Sequence, residues 1–266
     1  MITGTTRLFA ILADPVGHVQ APQMLNAWFE AHDVDGVFVP LHVHLDDLDA
    51  VVQGLRALHN LDGLVITMPH KTAMAALCDD IGPAARAIGS VNTVRRRPDG
   101  RLVGDMFDGH GFVAGLKSQG IDPRGQRILL LGAGGAATAI ALALAESGAG
   151  ALTVANRTRS KADALKACVQ AAHPEVRIEV GQPDPRGHDM VVNATSQGMK
   201  PGDTLPLDTT LLEPAMTAIE IITKPEITPW LEQARNRGCR IHIGRHMLQA
   251  QIDQMARFML GEAAGA

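Results

Sequence analysis

The stretch RILLLGAGGAATAIALALAESGAG, residues 127–150, decides the fold. It opens on an unbroken apolar run, Ile128–Leu131, which has the length of a buried strand. It then reads Gly132-x-Gly134-x-x-Ala137 and passes into Ala- and Leu-rich sequence with helical character. The whole stretch is long and apolar enough to raise the question of a membrane span. Its glycines, placed between a strand run and a helix run, make a buried βα unit the better reading. In such a unit Gly132 permits the tight turn, Gly134 lets the backbone approach a pyrophosphate, and Ala137 keeps helix and strand close. Ala133, Gly135 and Ala136 complete the turn. The start of the following helix offers unbonded N–H groups and the positive end of its dipole to an anion. A glycine turn that serves packing alone is the bland alternative. The strand before it and the further strand after it favour a dinucleotide site.

That further strand ends in ANRTRSKA. A site built for NAD normally places Asp or Glu here to accept hydrogen bonds from the ribose 2′-hydroxyl. This chain offers Asn156, Arg157, Thr158 and Lys161 instead. Cations and neutral hydrogen-bonders suit a 2′-phosphate, whereas a carboxylate would repel one. The reading is therefore NADP, with NAD the lesser alternative. A solvated helix start capped by Thr158 or Ser160 is the structural alternative.

Composition narrows the class. The chain has 266 residues, 46% hydrophobic and 20% charged, which suits one large domain or two smaller ones. Its formal net charge of -4 shows no basic excess for nucleic acid. The run Arg95–Arg97 is short enough to be a solvated hairpin. Cys78, Cys168 and Cys239 lie far apart, with no zinc, redox-pair or disulfide spacing. They read as reduced thiols of a cytoplasmic protein, and no metal is expected. The beginning, MITGTTRLFAILADP, lacks the cationic start and long apolar core of a signal peptide. Tyrosine is absent, so no site here can use a phenol.

On both sides of the glycine turn the chain alternates short apolar runs with amphipathic segments. RLFAILA, GVFVPLHV and LDGLVITM read as strands; APQMLNAWFEAHDV, LDDLDAVVQGLRAL and KTAMAALC read as helices. VRRRPDGRLVG carries a Pro-Asp-Gly turn between extended segments, a hairpin-like excursion. DGHGFVAGLKSQG reads as a helix leading out of this first series, and the polar break DPRGQ, residues 122–126, separates it from the second. RILLLGA, ALTVAN, RIEV, DMVVNAT, TAIEII and RIHIG read as the strands of that second series, before a closing helix through MLQAQIDQMARFMLGEA. The fold class is α/β, with parallel sheets whose faces are covered by helices.

GLVITMPHKT, residues 63–72, sets Lys71 just past the end of a buried strand. Ligands of open α/β sheets bind outside such carboxyl ends, so the ammonium group faces the chemistry or is merely an exposed lysine at a helix start. The order DPVGHVQAP, ITMPHKT, GSVNTV, GDMFDGHG, LLLGAGGAA, ANRT, VNATSQGM and GRHMLQAQ resembles the shikimate dehydrogenase family, from about residue 8 to residue 258. The resemblance implies two domains with the active site between them. A substrate-binding domain would comprise residues 1–105 and 241–266, and a Rossmann-type NADP-binding domain residues 106–240. It implies a reversible hydride transfer between nicotinamide and the ketone or secondary alcohol of a small cyclic substrate, within shikimate or quinate metabolism and aromatic amino acid biosynthesis. Lys71 and Asp108 match the family's catalytic pair. Thr67, Asn92 and Gln251 match substrate contacts. Thr195, Ser196, Gly244 and Met247 fall in the cofactor-side motifs. An ammonium at Lys71 would stabilise negative charge building on the carbonyl oxygen and deliver the proton, with Asp108 orienting it.

The departures from the family gather where substrate should sit. The two serines that hold the carboxylate in typical members are Val19 and Ala21 here. The usual asparagine is Val65, Met106 and Phe107 replace two polar residues, and Thr223 stands in place of a tyrosine. A carboxylate buried without donors costs several kcal/mol. The substrate is therefore expected to be less polar than shikimate, or to carry its acid differently, with His18, Gln20, His70 and Arg245 as candidate new donors. His110 and His246 read as surface or packing residues. A non-catalytic binding protein on the same scaffold is the main alternative, and a folate-type dehydrogenase a weaker one, given so few aromatic residues. The substrate partner is a small molecule; neither nucleic acid nor membrane is expected, and the chain is a monomer or homodimer.

Overall fold

The computed structural model describes residues 1–17 and 19–262, so His18 lies outside the described residues. The chain divides into two compact units, Met1–Phe107 with Ile252–Ala266, and Asp108–Gln251.

The first unit is built on β1 (Arg7–Ala13), α1 (Ala21–Ala31), β2 (Gly36–His42), α2 (Leu48–Arg56), β3 (Leu61–Ile66), α3 (Lys71–Leu77), β4 (Asp80–Ile81), α4 (Pro83–Ile88), β5 (Thr93–Arg96) and β6 (Leu102–Asp105). Its sheet has the order β2-β1-β3-β5-β6-β4. The strands β2, β1 and β3 are parallel. The central pair is buried along most of its length, which is why both read as continuous apolar runs rather than as alternation. The Pro-Asp-Gly excursion is an antiparallel hairpin between β5 and β6. One apolar cluster joins Phe9 and Ile11 of β1, Leu25 and Phe29 of α1, Val65 of β3 and the side chains Ile252, Met255 and Met259. The Phe9 and Phe29 ring centroids stand 4.6 Å apart.

The second unit contains α5 (Asp108–Ser118), β7 (Arg127–Leu131), α6 (Gly135–Glu146), β8 (Ala151–Ala155), α7 (Arg159–Ala172), β9 (Ile178–Val180), β10 (Met190–Asn193), β11 (Thr217–Glu220), α8 (Pro229–Asn236) and β12 (Arg240–His242). Its six strands are all parallel, in the order β12-β11-β10-β7-β8-β9. The chain starts in the middle at β7, winds outward to β9, and returns to β10 on the other side. This is the doubly wound arrangement, and the strand order reverses between β7 and β10. The long apolar stretch around the glycine turn resolves into β7 and a core helix: Ala137 and every residue from Ala139 to Ala145 on α6 are buried. Among the described residues, no helix is long and apolar enough to cross a membrane.

The last helix, α9 (Gly244–Leu260), starts three residues earlier than the MLQ motif suggests, and the division between units falls within it.

Candidate active site

The reversal point of the second sheet opens a cleft of about 750 Å³. Gly132, Ala133 and Gly134 line it from the end of β7, Asn156, Arg157 and Arg159 from the end of β8, and Ala194–Gln197 from the end of β10. Gly132 carries φ +109°, and a Cβ there would stand 2.8 Å from the Ala194 carbonyl oxygen. Only glycine fits that turn without strain, and it keeps the two strand ends close together. Gly134 occupies the N-cap position of α6 in extended conformation and makes no side-chain cap bond. The first N–H groups of α6 are thus left to a ligand, as anion binding at a helix start requires.

The α7 start adds charge. Thr158 sits at the N-cap, yet its hydroxyl makes no cap bond; Asn156 Nδ2 donates to the Thr158 carbonyl at 2.9 Å instead. The first turn of α7 holds no acidic residue but has Arg159 and Lys161, the wrong sign for a helix N-terminus. Arg159 is partly compensated by Asp163, 3.6 Å away. Arg159, which the sequence reading passed over, lines the cleft; Lys161 is exposed and is not part of its wall. Gly181–Pro183 and Pro206 also line the cleft. They carry no motif, and only the strand order brings them there.

Behind the cleft lies a polar knot. Asn193, the last residue of β10, accepts from the Thr195 N–H at 3.1 Å and from its hydroxyl at 2.7 Å. Its amide donates to the Gln197 carbonyl and to both carboxylate oxygens of Glu220. Glu220 is fully buried and also accepts from the N–H groups of Ile221 and Ile222, the Thr228 hydroxyl and the Trp230 indole. Burial pushes its carboxyl upward from the usual range, and these donors pull it back. Thr195 and Ser196 are thereby fixed at the cleft. Gly244 lies against the Ile221–Ile222 carbonyls, so close that a Cβ has no room, and Thr223 follows that turn. Met247 is buried on α9, where its backbone approaches Gly115 of α5.

Asp108 opens α5 and is buried, and Gln251 Nε2 donates to its Oδ1 at 2.6 Å. The contact exists because Gly111 lacks a side chain: a Cβ there would meet the Gln251 Cβ at 2.8 Å. His110, exposed, bonds to Glu146 at 3.2 Å, and His246 stacks edge-on against His242. Arg245 pairs with Glu226 at 3.7 Å.

In the first unit, Thr67 follows β3, its carbonyl accepts from the His70 N–H, and Lys71 begins α3 half-buried. Asn92 is buried; its Oδ1 accepts from the Phe107 N–H at 3.0 Å and its backbone bonds both to Ile66 and to Asp105. It therefore ties β3 to the segment before Asp108. His70, a candidate new donor, is buried and spends Nε2 on the Val43 carbonyl at 2.9 Å. Val19, Ala21, Val65 and Phe107, all departures from the family pattern, fall in one apolar cluster, with the Phe107 and Phe258 rings 5.2 Å apart.

Residues 11–94 match the family described as the shikimate dehydrogenase substrate binding domain, and residues 116–197 that described as shikimate/quinate 5-dehydrogenase. The chain is 40% identical over 264 residues to the shikimate dehydrogenase (NADP(+)) of Rubrobacter xylanophilus, covering 98% of this chain and 93% of that protein. Shikimate 5-dehydrogenase from Listeria monocytogenes, solved with shikimate and NAD, superposes with TM-score 0.90 at 32% identity, covering 98% and 94%. The ligand-free 5-ketofructose reductase of Gluconobacter sp. strain CHM43 superposes with TM-score 0.88 at 32% identity, covering 98% and 95%. Glycine turn, basic helix start and doubly wound sheet define a dinucleotide-binding unit, and the relatives make the chain an NADP-dependent oxidoreductase acting on a secondary alcohol. The chain belongs to the shikimate dehydrogenase family.

Proposed function

We propose that this protein transfers hydride reversibly between NADP and the ketone or secondary alcohol of a small, preferably cyclic substrate that presents no carboxylate where shikimate carries one. The observation behind this reading is the apolar cluster that takes in Val19, Ala21, Val65 and Phe107 together. Apolar residues at these four positions remove hydroxyl and amide partners that would otherwise replace the water an anion loses, a penalty of several kcal/mol. The 5-ketofructose reductase among its structural neighbours is named for a keto sugar, a substrate class without a carboxylate.

The first unit is the substrate side in this reading, and the second holds the cofactor. The cleft, the uncapped α6 start and the basic α7 start fit NADP, with Arg157 and Arg159 as partners for the 2′-phosphate. When bound, the cofactor supplies or accepts the hydride. Lys71 Nζ holds a proton for the substrate oxygen as negative charge develops there, and takes it back in the oxidising direction. Thr67 and Asn92 position that oxygen's ring. Asp108, held by Gln251, keeps the counter-charge for the ammonium.

The test is NADPH oxidation by the full chain across matched pairs of cyclic ketones, one of each pair bearing a carboxylate. The uncharged member is turned over with the higher kcat/KM. A preference for the acid would refute this substrate assignment. Ligand-induced thermal stabilisation without turnover on any ketone would refute catalysis itself and favour a binding protein.

A further inference from the structure

A cluster of two histidines and a carboxylate stands at the carboxyl edge of the first sheet. His42 ends β2, and His44 follows one residue later with extended backbone at φ -71°, ψ 152°. Two positions apart in an extended chain, the imidazoles share a face. Between them comes Asp14, where the chain bends away after the register pair Ala13–His42. Asp14 Oδ1 lies 2.8 Å from His42 Nε2 and Asp14 Oδ2 lies 3.0 Å from His44 Nδ1. All three ligand atoms fall within 4.8 Å of one another, and both imidazoles open to solvent.

This is a two-histidine, one-carboxylate donor set with open positions for water. Imidazole nitrogen suits zinc, nickel and cobalt, whereas magnesium and calcium want oxygen. A tetrahedral ion with bonds of about 2.0–2.1 Å needs its donors a little over 3 Å apart, close to the two imidazole–carboxylate spacings already present. Binding would displace the protons that His42 Nε2 and His44 Nδ1 share with Asp14, since a ligating imidazole nitrogen must be unprotonated.

The backbone under the set is fixed, and it leads to Lys71. Val43, between the two histidines, donates to the Ala13 carbonyl at 3.2 Å. Its own carbonyl accepts from His70, the residue before Lys71. The Asp14 N–H donates to the Met68 carbonyl at 3.2 Å, and the Thr67 N–H to the Leu12 carbonyl at 3.2 Å. The turn Thr67–His70 thus hangs on the two strand ends that carry the three ligands.

We propose that Asp14, His42 and His44 form a binding site for one divalent transition-metal ion of the zinc class, which braces the turn leading to Lys71. Metal binding stands on its own geometry; only its relevance to turnover rests on the proposed role of Lys71.

The test uses the untagged full chain, titrated calorimetrically with zinc chloride and, for a visible d–d spectrum, with cobalt chloride. His42→Gln/His44→Gln keeps hydrogen-bonding side chains while removing both imidazoles. One saturable equivalent per chain is expected, weakened on the order of 100-fold in the double variant. Zinc should raise the Tm of the native chain and slow amide exchange over residues 67–74, neither of which occurs in the variant. An absence of saturable binding, or binding equally strong in the double variant, would show that the cluster is two hydrogen bonds only. Binding that leaves exchange over 67–74 untouched would overturn the bracing.

Discussion

Replacing Glu220 by Gln probes the knot behind the cofactor cleft with minimal change of shape. One carboxylate oxygen accepts from Asn193, Ile221 N and Ile222 N, the other from Asn193, the Thr228 hydroxyl and the Trp230 indole, at 2.7–3.2 Å. Among these partners only the Thr228 hydroxyl can reverse and accept. A glutamine amide nitrogen facing the two backbone N–H groups would confront donors that cannot turn. It therefore faces Thr228 and Trp230, where the hydroxyl reverses and the indole N–H is left unpaired. A buried donor without a partner costs about 1–3 kcal/mol, and the weakened Asn193 contact adds to it. Relief from burying a charge offsets part of this. The net loss is about 2 kcal/mol, or a Tm fall of about 4–8 °C in a unit of this size. Asn193 also holds Thr195 and Gln197, so the NADPH dissociation constant should rise several-fold. The assays are thermal unfolding by circular dichroism and NADPH fluorescence titration. A Glu220→Gln variant as stable as the native chain, or more so, with unchanged NADPH affinity, would refute the reasoning.

Gly132→Ala forces a φ of +109° on a side chain and sets its Cβ 2.8 Å from the Ala194 oxygen, a cost of about 1–3 kcal/mol or more; NADPH affinity measured by titration should fall at least about tenfold. Arg157→Ala/Arg159→Ala removes charge-assisted partners worth about 1.5–3 kcal/mol each, so NADPH affinity should drop by about 100-fold or more while NADH affinity hardly changes. Val19→Ser/Ala21→Ser returns two hydroxyls to the apolar patch, and kcat/KM for carboxylated relative to uncharged ketones should rise. Burial pushes the His242 imidazole down to about 4, with the neighbouring His246 and Arg240 adding to the effect. The unfolded chain takes up that proton first, near pH 6.5, so the stability due to neutral His242 is complete above pH 6.5 and is lost as pH falls toward 4. The loss is at most about 3 kcal/mol, and urea midpoints for His242→Leu should show a shallower decline over that window.

The parts of the fold that were legible in sequence are those where backbone chemistry leaves a residue signature. A strand run followed by Gly132-x-Gly134 has few other uses, and Pro98-Asp99-Gly100 marks its own hairpin. Lys71 stands out in the sequence because a cation after a buried strand is out of pattern. The division within α9 left no such mark, since its helical periodicity runs on whichever unit a residue packs against. Glu220 is one more polar position after an apolar run in sequence; its five donor groups come from three separate segments. The choice of Arg159 over Lys161 as a wall of the cleft depends on where α7 begins, and helix starts are fixed by capping geometry rather than by composition. The proximity of Asp14 to His42 and His44 needed the β1–β2 register, and the burial of His70 needed the Val43 carbonyl. The apolar replacements at Val19, Ala21, Val65 and Phe107 were each visible singly, but their convergence on one cluster was not.

Turnover of Lys71→Ala, measured as kcat for NADPH oxidation with the preferred ketone alongside the NADPH dissociation constant, tests the catalytic claim most directly. Loss of the proton-holding ammonium should lower kcat by about 100-fold or more and leave the dissociation constant within about twofold. A variant that keeps near-native kcat would contradict the account.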